Sequence, residues 1–360
     1  SFEVINASSD YLGNTHDEND YNLNISNLGL VLNKIETRLG KPKTEDWVGY
    51  TFAIGFNRSS GLNKRTIATG VNNQSSILED FADRAEGTYP SDFTQNTIAG
   101  LAYKNWLINP FFPDSSEYYT STEPGNPTVD QEQVITSSGS VNDIYLSFGS
   151  NYANKLYIGG TLGIPIVSYE QKTTFSESNL ELNSANLNDS IPNFRSMSFT
   201  EEFSTNGAGV YGGLGLIYRP VDFFRFGASI FTPTFYSLED EYQYSMASDV
   251  EDTPSPYSGS LESPEGTFSY EIITPFRFNS SMAFIIGNKG FVSMDYKYKN
   301  FGNSQLSSED YSFTRENETI NSLYQGTHNI RIGAEYNYEI FAFRGGYGYT
   351  TSPFQGDAVP

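Results

Sequence analysis

The chain has 360 residues with 43 Asp+Glu against 21 Lys+Arg, a net charge of -22 that excludes non-specific binding to nucleic acid, which needs a basic surface. It has no cysteine and two histidines, so disulfides and thiol chemistry are excluded and a histidine-rich metal centre has no material. A mean hydropathy of -0.44 and the lack of any charge-free apolar run near roughly 18 residues exclude a transmembrane helix, but not a membrane barrel, whose strands alternate lipid-facing and lumen-facing residues.

Ser1 to Ser9 already alternates like a strand and lacks a basic-then-apolar leader, which points to a processed or incomplete N-terminus. After a polar stretch at 10–20, Leu23 and Ile25 lie on odd positions while Leu28, Leu30 and Leu32 lie on even ones. A β-bulge near Ser26-Asn27 would restore one apolar row. A connection spanning 35–46 leads to a third strand with Val48, Tyr50, Phe52, Ile54 and Phe56 on one face. Residues 58–63 (RSSGLN) interrupt it. Ser59, Ser60 and Gly61 mark either a kink with lost pairing or the strand's ordinary end.

A long polar stretch, 59–130, contains SILEDFADRAEG at 76–87. Ser76 and Glu79 form a capping box, Ile77, Phe81 and Ala85 an apolar stripe, and Gly87 a stop, which together predict a short amphipathic helix in an external loop. Phe93, Trp106, Phe111 and Phe112 follow nearby in sequence. The period-two pattern then returns: Ile144, Leu146 and Phe148 oppose Asp143, Tyr145 and Ser147, and Leu156, Ile158, Leu162, Ile164 and Ile166 oppose Tyr157, Gly159, Thr161 and Gly163. GAGVYG (207–212) matches the G-x-G-x-x-G pattern, but it sits in a glycine-rich strand ending in a tight turn, not between a buried strand and a helix.

Phe224, Phe226, Ala228 and Ile230 next oppose Arg225, Gly227 and Ser229, and Val292, Met294, Tyr296 and Tyr298 oppose Ser293, Asp295 and Lys297. Ile330, Ile332, Ala334 and Tyr336 oppose Arg331, Gly333 and Glu335, and Phe341, Phe343 and Tyr347 oppose Ala342 and Arg344. The chain ends in loop-like composition at 356–360, and further strands are expected beyond it. Tight connections near Tyr152-Ala153, Pro220-Val221, 287–290 and Asn337-Tyr338 alternate with long polar stretches at 10–20, 59–130, 177–194, 247–265 and 304–325. That alternation, with aromatics flanking the tight turns, is what an up-and-down barrel with short periplasmic turns requires. A soluble sandwich would turn abundant Lys and Glu to its polar face, whereas here that face is Gly, Ser, Thr and a few charges of both signs.

The fold class is therefore all-β, a transmembrane antiparallel up-and-down β-barrel forming a single domain over 1–360, with about eleven strands counted in this chain. Bacterial single-chain barrels have even strand numbers, so strands are expected outside it.

The segments ITPFRFNSSMAFIIGNKGFVSMDYKYKNFGNSQ (273–305), IRIGAEYNYEIFAFRGGYGYTTSPF (330–354) and FAIGFNRSSGLNKR (52–65) resemble the FadL/TodX family of outer-membrane transport proteins, in the form common in Bacteroidota. The resemblance implies a barrel of about 14 strands in the complete protein, an N-terminal hatch with an Asn-Pro-Ala stretch, and passage of hydrophobic compounds through an opening at a kinked strand. No Asn-Pro-Ala occurs here, so the hatch and the last strands are expected to lie outside this chain. The kinked strand maps onto Ser59, Ser60 and Gly61, and Ile77, Phe81 and Trp106 fall where an external cover could present a hydrophobic landing groove. A loop packing on itself is the other reading of that segment.

Asp143, Arg225, Arg277, Asp295, Arg331, Glu335 and Arg344 share the inward parity and are expected to form a mixed ion-pair network, because unpaired charge in a narrow lumen is costly. The acidic stretch Glu239 to Glu265 reads as a solvated loop, with DVED (249–252) offering hard oxygen ligands for calcium as the alternative. No G-x-S-x-G occurs and no other catalytic constellation is found; neither an enzyme nor a cofactor is expected. Two functions remain: passive uptake of hydrophobic or amphipathic small molecules across the outer membrane of a Gram-negative bacterium, or a non-catalytic barrel subunit of a larger secretion or barrel-assembly complex. The expected partners are outer-membrane lipid and lipopolysaccharide, a hydrophobic small molecule and, in the second reading, other complex subunits.

Overall fold

A computed structural model describes residues 2–38, 41–42, 44–120, 128–179, 193–251 and 256–356. Strand β1 (Phe2–Tyr11) pairs with β2 (Asn14–Leu23) through a two-residue turn whose Leu12 and Gly13 both take positive φ, the twist that suits a tight hairpin. The polar stretch at 10–20, expected as a loop, is thus mostly hairpin. The expected bulge at Ser26-Asn27 is instead a break: Asn24–Ser26 lie outside any strand, and β3 (Asn27–Ile35) pairs with a different partner from β2. A two-residue ladder of β4 (Thr37–Arg38) with β5 (Lys41–Pro42) follows, and then β6 (Trp47–Gly61) and β7 (Lys64–Asn72).

Helices α1 (Ile77–Ala85) and α2 (Ile98–Lys104) and the small ladder of β8 (Ile108–Pro110) with β9 (Tyr118–Thr120) make up the long segment that precedes the wall strands. The next three strands are long: β10 (Val129–Tyr152) and β11 (Leu156–Asn179) have 24 residues each and β12 (Asn193–Val221) has 29. About ten residues suffice to cross a bilayer, so all three continue well beyond it. Then come β13 (Phe224–Phe231), β14 (Phe235–Glu251), β15 (Tyr257–Glu262), β16 (Gly266–Ile273), β17 (Arg277–Ile285), β18 (Gly290–Asn300), β19 (Gln305–Ser307), α3 (Thr314–Leu323), β20 (Gly326–Tyr338) and β21 (Phe341–Thr350). The acidic stretch 239–265 is therefore largely the strands β14 and β15 rather than a loop, while Asp252 lies outside the described residues.

The wall is an all-antiparallel path β3-β6-β10-β11-β12-β13-β17-β18-β20-β21, one strand fewer than the eleven counted from sequence. Neighbours in the path are neighbours in the chain once the upper pieces are set aside, as an up-and-down barrel requires. Among the described residues β3 and β21 each have one edge without a ladder. The tight turns fall where the sequence places them, with Ala153 and Asn154 at φ 52° and 57° between β10 and β11.

Several wall strands restart at one level. Pro233 separates β13 from β14 and Pro275 separates β16 from β17, because proline supplies no ladder N–H. Threonine hydroxyls satisfy amides at these breaks: Thr232 Oγ1 accepts from Gly212 N at 2.9 Å and Thr274 Oγ1 from Thr234 N at 3.0 Å. Leu62-Asn63 separates β6 from β7 at the matching level of β10, where Gly139 adopts φ 133°. Above these breaks β7 pairs with β10, β14 with β12, β15 and β16 with β14, and β19 with β16, forming an upper storey. Below them the even-numbered face of β10 to β13 carries apolar rows, broken in β11 by Gly160: Leu214 is 68% and Ile230 52% exposed, as side chains meant for lipid are in the absence of a bilayer.

The apolar core lies in the upper storey. Leu78, Phe81, Ala85, Leu101, Leu107 and Ile108 pack against Val129, Phe194, Phe199, Met246 and Val250. The 24-residue ladder of β10 with β11 runs without a register shift, so Val129 and Gln131 share a face with Asp143 and Tyr145. The cap thus sits over the inward face of the wall, above the level of the breaks.

Candidate functional site

The interruption of the third strand is visible in the pairing of β6 on its two sides. Toward β10 the ladder runs from Trp47 to Gly61, with a register shift that leaves Ser59 without a partner in it, because Val141 pairs with Ser60 and Asn142 with Arg58. Leu62 N then donates to Gly139 O at 3.1 Å and the Asn63 carboxamide oxygen accepts from Gly139 N at 3.0 Å before β7 resumes the ladder. On the opposite side β3 follows β6 only up to Asn57, and Arg58 N makes the last bond, to Ser26 O at 2.8 Å. From Ser59 upward no strand is laddered to that edge among the described residues. Ser59, Ser60 and Gly61 are exposed at the corner of this gap. Arg58 closes its lower end, donating from Nη1 to Asn24 Oδ1 and from Nε to Asn142 Oδ1 at 3.4 Å.

The inward face below the cap is walled by small residues. A cavity of about 480 Å³ lies against Ser147, Thr161, Gly213, Gly215, Ser229 and Asn279. The aromatic side chains on this face lie flat on glycines of the adjacent strand: Tyr145 over Gly55, Tyr211 over Gly163 and Phe231 over Gly213, each so close that a Cβ on the glycine would overlap the ring. The glycines thereby keep the rings against the wall instead of across the lumen. Replacing Gly163 by alanine should push Tyr211 off the wall and cost about 1–3 kcal/mol, the usual penalty of overpacking, read as a lower urea midpoint. Gly345→Ala, where nothing lies within 4 Å of the new methyl, is the matched control.

At the level of the breaks, polar groups gather into a collar. Tyr211 Oη donates to Asp143 Oδ2 at 2.5 Å, and the Arg277 guanidinium lies 5.2 Å from the Tyr211 ring centroid and 4.8 Å from that of Phe231. Lys299 pairs with Arg277 in the ladder and lies 4.3 Å over Phe301. Asp143 Oδ1 is buried without a hydrogen-bond partner.

The expected ion-pair network is mostly absent among the described residues. Arg344 and Glu335 do pair, at 2.6 Å across β20 and β21. Arg331 and Asp295 face each other in the β18–β20 ladder without an ion pair, and Arg225 has none. Asp143 takes a phenol and Arg277 takes aromatic faces instead. Parity assigns these residues to one face, but pairing depends on height along the strand, which parity does not carry.

The cap is not an open hydrophobic groove at its helix. Phe81 is 1% exposed and meets the Phe199 ring at 5.8 Å, and Ile77 is half-buried at the edge of the core. Trp106 is 50% exposed at φ 60°, and Phe111 and Phe112 are also exposed. Sequence reasoning missed Glu177. This carboxylate, 1% exposed, accepts from Ser76 Oγ at 2.5 Å, from Ile77 N at 2.9 Å and from Gln131 Nε2 at 2.5 Å, fastening the start of α1 to the wall. Its place two residues after Phe175 on the core-facing side of β11 was the available signal.

No family model and no curated protein matches the sequence. Among solved structures the chain is similar to the Pseudomonas putida toluene transporter TodX, at 14% identity and a TM-score of 0.40, over 98% of this chain and 72% of that one.

Proposed function

We propose that the protein is an outer-membrane conduit for hydrophobic or amphipathic small molecules, acting passively and without catalysis, and that solutes leave sideways through the gap beside Ser59, Ser60 and Gly61. The observation that supports this is the one-sided pairing of β6: its inner ladder continues past the point where its outer ladder stops. A sideways exit suits an apolar solute because continuing into water would expose its surface at about 25 cal/mol per Å². The collar of Tyr211, Arg277 and Asp143 gives an amphipathic solute a polar station above the apolar rows.

The test is uptake of a lipophilic fluorescent probe by proteoliposomes holding the protein, beside a double-cysteine variant crosslinked across the gap between Ile25 and Leu62. The expected result is probe entry that falls to the rate of empty vesicles on crosslinking. Entry no faster than in empty vesicles before crosslinking, together with stable co-purifying proteins from native membrane, would overturn the conduit in favour of a non-catalytic subunit of a larger outer-membrane complex.

A further inference from the structure

The β1–β2 hairpin leans on the open edge of β7 without forming a ladder with it. Its contacts are made by side chains. Ser9 Oγ donates to the Ile67 carbonyl oxygen and Asn14 Nδ2 to that of Thr69 at 3.2 Å, both of them carbonyls of an edge that carries no ladder. Leu12 packs on Gly70, where an added Cβ would lie 3.1 Å from the leucine Cβ. The hairpin's own ladder is internal, running from Phe2–Leu23 to Tyr11–Asn14, so it can move as a unit with that ladder intact. Asn24–Ser26, outside any strand, joins it to β3.

One contact of the hairpin leads further. Tyr11 Oη donates to Gln131 Oε1 at 2.6 Å, Gln131 Nε2 donates to Glu177 at 2.5 Å, and Glu177 holds Ser76 and the first amide of α1. Hairpin, wall and cap thus meet in a single chain of hydrogen bonds around a buried carboxylate. Such a network responds as a unit because each bond orients the next.

We propose that the β1–β2 hairpin is a movable strap across the upper part of the lateral gap, and that its release is coupled to the external cap through Gln131 and Glu177. As a regulator of exit the strap rests on the conduit reading; its coupling to the cap does not. Coupling is reciprocal, so loosening the cap, as a solute arriving from outside would, loosens the strap by the same factor.

Two measurements test this. The chain has no cysteine, so Leu12→Cys with Gly70→Cys introduces the sole possible disulfide; the Cβ atoms lie 3.1 Å apart, somewhat under the usual separation of about 3.8 Å, so the hairpin shifts outward by a fraction of an ångström to close it. In proteoliposomes the oxidised form should release no probe into the lipid and should recover on reduction. Undiminished release with the disulfide verified by mass would overturn the strap's role at the gap. If the reduced form also fails to transport, the conduit reading falls, and hydrogen exchange decides the coupling. Tyr11→Phe leaves Gln131 Oε1 with its second donor, Asn72 Nδ2 at 3.1 Å, so a purely local role predicts faster exchange in 4–23 alone. The coupled strap predicts faster exchange in both 4–23 and α1, and exchange confined to the hairpin would overturn it.

Discussion

Ile230→Arg should destabilise the folded protein in a bilayer by about 2–4 kcal/mol and impair assembly, whereas Ser229→Arg, one residue away, should be much milder. Ile230 is 52% exposed, and its ladder partner Leu214 is 68% exposed. In water such exposure would make either side chain an indifferent site. In a bilayer their row lies within the apolar band, where a guanidinium has neither water nor a counter-ion. Ser229 lies on the opposite face beside Asn279, whose Nδ2 donates to its hydroxyl at 3.0 Å, so a cation there meets polar groups. Urea-induced unfolding from vesicles measures both variants, and equal losses at the two positions would contradict the assignment of faces.

Glu177 is the second position with a large expected effect. Burial pushes its carboxyl above the usual 4.5, against the opposing pull of the hydrogen bonds from Ser76, Ile77 and Gln131. An unfolded cap therefore gives up this proton at a lower pH than the folded one does. This contribution to stability is fully present below about 4.5, and it is lost as pH rises through the folded value. The protection factors of the α1 amides, taken against the intrinsic exchange rate at each pH, should accordingly be higher in mildly acidic buffer than at neutral pH, and Glu177→Gln should flatten that dependence. Glu177→Leu strands the Gln131 amide and the Ile77 N–H in an apolar surround, at about 1–3 kcal/mol for each orphaned donor. Loss of α1 protection in that variant with the wall strands still protected is the expected pattern.

The wall was legible in the sequence because its physical signal is local. A strand between lipid and a polar lumen alternates residue by residue, so Leu156 to Ile166 and Phe224 to Ile230 declare both their structure and their faces without reference to distant parts of the chain. The tight turns are equally local. What the alternation could not reveal is where a polar stretch is itself a strand. Outside the bilayer both faces of a strand are polar or mixed, so β2 and much of β14 resembled loops; β2 is set by a tight turn with β1, and β14 by its register with β12. The interruption at Ser59–Gly61 was legible as small residues with a glycine, but its one-sidedness depends on Asn24–Ser26 leaving the sheet, a non-local event. The helix at 76–87 was legible too: Ser76 caps it, accepting from Leu78 N at 3.2 Å, and Gly87 follows at φ 84°. That Phe81 faces a core rather than a groove depends on Phe199, well over a hundred positions later.

The breaks at Pro233 and Pro275 also bear on how this sequence can drift. In an unbroken strand a single inserted residue turns every later side chain to the other face, and on a lipid-facing wall that is ruinous. Strand β14 starts afresh after Pro233 and β16 ends before Pro275, so an insertion in either inverts only the outer storey and stops at the proline. No such firebreak protects β10, β11 and β12, which cross both storeys in one run. Length variation among descendants should therefore collect in β14 to β16, leaving the three long strands constant in length while their surface residues change.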